Sequence, residues 1–302
     1  MILKIPPYLK KGNTIGITCP AGYMDAAKAQ TCINTLQSWG FDVMVGKTLG
    51  SRSKNYFSGT DEERTDELQA MLDDENIHAI LFGRGGYGMG RIIDQLDFTK
   101  FKKHPKWVIG FSDITILHAH LYTKIKTASV HAPMAAAFNE GENEFIQSLH
   151  NAIKGKKGKY NCAAHTFNKQ GTATAELVGG NLSLLAHIIG TPSDINTKNK
   201  ILFIEDIGEQ VYNTDRMMYQ LERSGKLENL SGLIVGGFTD MKDTERPFGK
   251  NVYEVIQEII APYNYPVAYG FPVSHGKENY ALKIGVNYTL KITKTKTQLS
   301  EV

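Results

Sequence analysis

Short apolar runs alternate with stretches of helical period through the first half of the chain, and this rhythm restricts the fold more than any other feature. "TIGIT" (14–18), "FDVMV" (41–45), "HAILF" (78–82) and "KWVIGF" (106–111) have the length and composition of strands. Between them, 26–39 has helical spacing and is closed by Gly40, while Thr60 and Glu63 form a capping box that opens a helix over 61–74. Strand–helix repetition of this kind requires a parallel sheet covered by helices on both faces, the α/β class.

The rhythm lapses between about 151 and 172, in "NAIKGKKGKYNCAAHTFNKQGT", which is rich in Lys and Gly. The expected organisation is therefore an N-terminal domain over 1–153, a linker over 154–172 and a smaller mixed α/β domain over 173–302. Strand-like runs in the second domain are "TAELVG" (174–179), "KILFIED" (200–206), "LIVGG" (233–237), "YPVAYGF" (265–271) and "ALKIGVNYTLKI" (281–292). Helical stretches fall at 181–189, 213–224 and 251–260.

Composition narrows the class of protein. Of the 302 residues, 41% are hydrophobic and 22% charged, as in a soluble globular protein. A net charge of +3 is too small to argue for nucleic acid or an anionic membrane. No apolar run approaches the roughly 18 residues of a membrane span. Prolines in "MILKIPPYLKKG" interrupt what would be the apolar core of a signal peptide. The three cysteines (Cys19, Cys32 and Cys162) imply no disulfide framework, and the expected compartment is the cytoplasm.

Five stretches carry candidate chemistry. In "GFSD" (110–113) Ser112 follows a strand and precedes a helix, the context of a nucleophile elbow, although Ile114 stands where G-x-S-x-G has its second glycine. The same serine could simply start the helix, with Asp113 at the positive end of its dipole. "GRGGYG" (83–88) formally matches G-x-G-x-x-G, but not in the first βα turn, where a dinucleotide site belongs. An N–H of this loop could instead complete an oxyanion hole with the N–H of Asp113. "ILFIEDIGE" delivers Glu205 at the end of an apolar run, with Asp206 beside it and Glu209 nearby. Among nine histidines, His275 in "PVSHGKENYAL" and His131 in "SVHAPM" follow strands and are the rival bases; no spacing suits a metal. A ligand-binding α/β protein would use the glycine loop without needing Glu205 or His275. An amidotransferase-like enzyme would want cysteine at position 112.

Taken together, "GRGGYG", "GFSD", "GGNLSLLAHIIGTP" (179–192), "FIEDIGEQVYNTDRMMYQLERSG" (203–225) and "PVSHGKENYAL" (272–282) resemble the serine LD-carboxypeptidases. This family comprises the muramoyltetrapeptide carboxypeptidases and the related microcin-immunity peptidases. The resemblance implies a flavodoxin-like parallel-sheet N-terminal domain with a smaller, barrel-like C-terminal domain, commonly as a homodimer. It places the nucleophile at Ser112, the charge-relay carboxylate at Glu205 and the base at His275. Two of these then belong to the second domain. Oxyanion donors fall at Asp113 and at Gly86 or Gly85, with Gly86 preferred, and Arg84 is the candidate partner of a substrate carboxylate. The implied substrate is a cytoplasmic murein tetrapeptide ending in D-alanine, with no cofactor or metal. The microcin-immunity branch instead cuts peptidyl or aminoacyl nucleotides.

Overall fold

The computed structural model describes residues 3–302, which divide into two compact units. The first comprises residues up to Lys156 together with Ala281–Lys283. Its strands are β1 (Thr14–Thr18), β2 (Asp42–Val45), β3 (Ile77–Phe82), β4 (Trp107–Gly110) and β5 (Ser129–His131). They lie side by side in the parallel order β2-β1-β3-β4-β5, the flavodoxin-like arrangement, with a further short strand flanking β5. β4 is buried along its whole length, as expected of a central strand covered on both faces. The capping box forms as expected: Thr60 Oγ1 accepts from Glu63 N–H and Glu63 Oε2 from Thr60 N–H, opening the helix Asp61–Asp73.

The second unit comprises Lys157–Tyr280 and Ile284–Val302. Its strands are β6 (Lys159–Ala163), β7 (Gly171–Asn181), β8 (Ile201–Ile207), β9 (Gly232–Thr239) and β10 (Val267–Tyr269). After β11 (Leu282–Ile284), the strand that flanks β5, come β12 (Asn287–Ile292) and β13 (Lys296–Glu301). The sheet order is β10-β9-β8-β7-β12-β13-β6, parallel from β7 to β10 and antiparallel from β7 through β12 and β13 to β6. The segment between β6 and β7 bends the two ends toward each other. Lys169 bridges to Val267 of β10, while Asn168 accepts from Tyr269 N–H (2.7 Å) and donates to Thr297 Oγ1 of β13 (3.1 Å). This gives the sheet its barrel-like character.

Two stretches differ from the sequence reading. Residues 159–163, within the expected linker, form β6, in which Tyr160 is buried between exposed neighbours. One inward residue in a Lys- and Gly-rich setting gives too little alternation to mark a strand. "ALKIGVNYTLKI" is two strands in different sheets, β11 and β12, separated at Gly285-Val286. Among the described residues no helix is long and apolar enough to cross a membrane.

Asn168 joins opposite ends of the second sheet, so its loss should destabilise that unit selectively. Asn168→Ala leaves the buried Tyr269 N–H without its acceptor, at a cost of about 1–3 kcal/mol. Urea unfolding should show a lowered midpoint; an unchanged midpoint would mean that the closure contributes nothing.

Candidate functional site

In the first unit the chain leaves β4 at Gly110, passes through extended Phe111 and turns at Ser112 with φ +62°. A residue with a Cβ seldom takes this left-handed conformation, and it is the mark of an elbow that lifts its side chain out of the strand line. Residues 112–114 form one tight helical turn that runs into the helix Thr115–His120. The elbow is braced from below. His118 Nε2 donates to the Gly110 carbonyl and its Nδ1 accepts from Ser129 Oγ, both at 2.8 Å. Burial pushes the His118 pKa down to about 4, so the ring is a neutral structural strut.

The loop 83–88 packs directly on this elbow. A Cβ on Gly85 would lie 2.9 Å from Ser112 Cβ and 3.4 Å from Asp113 N, so only glycine permits this approach. Gly85 C=O accepts from Gly22 N–H at 3.2 Å. Across a trans peptide the next N–H points the opposite way, so Gly86 N–H is turned away from Gly22. Gly86 has φ +107°, which only glycine adopts without strain.

Asp113 is 1% exposed, and its Oδ2 accepts from Met89 N–H at 2.7 Å. Burial holds its pKa up, to about 6, against the hydrogen bonding from this loop and the nearby Arg64 charge. Arg84 is exposed, and its guanidinium donates to the Tyr23 carbonyl at 3.1 Å. His131, the rival base, is fully buried in β5 with its ring 5.7 Å from that of Phe111, the position of a core histidine.

In the second unit β8 carries two adjacent carboxylates to different partners. Glu205, fully buried, accepts at Oε2 from His275 Nδ1 at 2.6 Å. With Nδ1 as the donor, Nε2 is the acceptor nitrogen of the ring, which is the tautomer a general base requires. Ser274 shapes the loop: its Oγ accepts from Gly276 N–H (3.0 Å) and donates to the Glu278 carbonyl (2.8 Å). Asp206 turns instead to Asn181 Nδ2 (2.7 Å) and the N–H groups of Ser183 and Ile207. It thereby secures the start of the helix Leu182–His187. The pairing of β8 with β9 is irregular between Ile204 and Asp206, where these neighbours part. Among the described residues no group of three or more His, Cys, Asp or Glu could hold a metal ion. The side-chain bond of Asp113 to the glycine loop had no local signal, because it joins residues 24 apart in sequence.

Burial also raises the Asp206 pKa, to about 6. The folded state then holds a proton that the unfolded chain, with its ordinary carboxylate pKa, has already released. The corresponding stability is present in acid and is lost as pH rises toward about 6. The wild type's lead over Asp206→Asn in urea unfolding should therefore shrink between about pH 4 and about pH 6.5. A lead that grew over that range would show Asp206 held below its ordinary value.

Comparison with known proteins identifies this arrangement. Residues 15–132 match the LD-carboxypeptidase N-terminal domain and residues 174–290 the LD-carboxypeptidase C-terminal domain. A probable murein peptide carboxypeptidase of Bacillus subtilis is 34% identical, covering 98% of this chain and 94% of its own. The microcin C7 self-immunity protein MccF of Escherichia coli is 26% identical, covering 97% and 94%. The crystal structure of muramoyltetrapeptide carboxypeptidase from Oxalobacter formigenes matches with a TM-score of 0.86 at 28% identity, over 95% of this chain and 98% of that one. With both domains matched in order, and a relative at that identity over nearly the whole length, the chain belongs to the LD-carboxypeptidase family.

Proposed function

We propose that this protein is a serine carboxypeptidase that hydrolyses the amide between an L-centre and the C-terminal D-alanine of murein tetrapeptides. Besides family membership, the observation that carries the reading is the left-handed elbow at Ser112, with Gly85 packed on it. In this reading Ser112 Oγ attacks the scissile carbonyl and His275 takes the hydroxyl proton. His275 then delivers that proton to the departing D-alanine nitrogen, and water hydrolyses the acyl-enzyme by the same route. Glu205 orients His275 and stabilises its charged form. The N–H groups of Gly86 and Asp113 receive the oxyanion, and Arg84 pairs with the substrate's terminal carboxylate. The working form is taken to be a cytoplasmic homodimer, for which sizing in solution should give about twice the 33.5 kDa chain mass.

Incubation with a tetrapeptide ending in D-alanine should release free D-alanine, and Ser112→Ala should lower turnover by about 10⁴-fold while leaving the protein folded. Glu205→Gln should reduce kcat far more than it raises KM, whereas Asp206→Asn should not. The L-alanine and C-terminally amidated analogues should be poor substrates, because each misplaces or removes the carboxylate. Equal rates on all three peptides would overturn the carboxypeptidase reading. Likeness to MccF supports one alternative, the immunity-type activity, and preferential cleavage of an aminoacyl-nucleotide analogue would establish it instead.

A further inference from the structure

The residue after Ser112 occupies a position that its backbone role does not explain. A helix-opening aspartate usually faces solvent near the helix dipole, yet Asp113 is 1% exposed and its carboxylate reaches across to another loop. There it accepts from Met89 N–H, 24 residues away in sequence. Arg64, itself fully buried, holds the opposite pole of the same peptide group, donating from Nη1 to the Gly88 carbonyl (3.3 Å) and also to Pro20 C=O. Earlier points on the loop are fixed too. Gly83 C=O accepts from Ala136 N–H at 3.1 Å, and Gly85 C=O from Gly22 N–H at 3.2 Å. The loop is therefore tied at 83, 85, 88 and 89, and one of these ties comes from the elbow itself.

We propose that the Asp113 carboxylate is a positioning residue that sets the distance between the Ser112 elbow and the 83–89 loop, so that nucleophile and oxyanion donors move as one rigid piece. The inference rests on the proposed serine mechanism. Its physical basis is that a donor aimed where charge develops helps only if it is already in place, and a displacement well under 1 Å weakens it. A tie between Asp113 and the loop fixes both donors with one side chain: Asp113 N–H at the elbow, and Gly86 N–H through the loop. Because it governs the oxyanion and not the ground-state peptide, its loss should appear in kcat.

The test compares Asp113→Ala, Asp113→Asn and Asp113→Glu with Ser112→Ala on the D-alanine tetrapeptide. Asp113→Ala should lower kcat by about 10²-fold with little change in KM, the pattern of a lost oxyanion donor. Asp113→Asn, which retains an acceptor oxygen in the same place, should recover to within about tenfold of the wild type. Asp113→Glu keeps the charge but shifts the acceptor by about one bond length, and should lower kcat again; it preserves the test if the alanine variant does not fold. Affinity for a peptidyl boronic acid, with boron in place of the scissile carbonyl, should fall in parallel with kcat, while affinity for the uncleaved peptide holds. A purely structural role would lower thermal stability without moving that ratio. If Ser112→Ala is inactive while Asp113→Ala and Asp113→Glu keep wild-type kcat and boronate affinity, the inference is overturned. If Ser112→Ala is itself active, the serine mechanism fails first.

Discussion

The first unit's chemistry depends on one backbone constraint, the left-handed turn at Ser112. Holding an L-residue there costs on the order of 1–2 kcal/mol, and the conformation persists only because its surroundings leave no alternative. β4 enters the turn buried along its length, His118 fixes its last carbonyl, Ile114 N–H returns to Phe111 C=O, and Asp113 is fastened to the glycine loop. Each of these contacts is individually modest. Together they hold a hydroxyl in an orientation that a relaxed strand-to-helix turn would not give it.

The second unit solves a different problem, the placement of a fully buried carboxylate. Glu205 is removed from water and its Oε2 meets the His275 imidazole, so burial strengthens the bond that orients the ring. The next residue, also buried, is spent on architecture, securing the helix that follows β7. Two adjacent acids thus take different partners, Glu205 the His275 ring and Asp206 the start of a helix, where the pairing of β8 with β9 is irregular.

Much of this was legible from residue pattern. The order of elements in the first unit and the capping box at Thr60 follow from local spacing, which is all that a strand or helix terminus needs. What the pattern left out is non-local. β6 exists because β13 is there to pair with it, and a lone inward Tyr160 cannot announce that. The orientation of the Gly85–Gly86 peptide turns on a hydrogen bond from Gly22, more than sixty residues earlier in the chain. Asp113 looked like a helix-opening residue because only tertiary contact reveals which N–H groups its carboxylate meets. The family resemblance supplied the site's roles; it did not supply these bonds.

The short strand β11 has a consequence for how the protein is made. It lies beside β5 in the first sheet, yet it is synthesised some 150 residues later, after almost all of the second unit has left the ribosome. Until then β5 presents an open edge, the kind of surface that invites pairing with a foreign strand. β11 closes that edge with a buried Lys283, whose ammonium lies over the Tyr8 ring at 4.9 Å, and with Ala281 N–H bonded to Ser148 Oγ. The first unit is therefore not autonomous in time: its sheet stays one strand short while about half of the chain is made, and a gene cut at the apparent boundary near residue 156 would leave it so permanently.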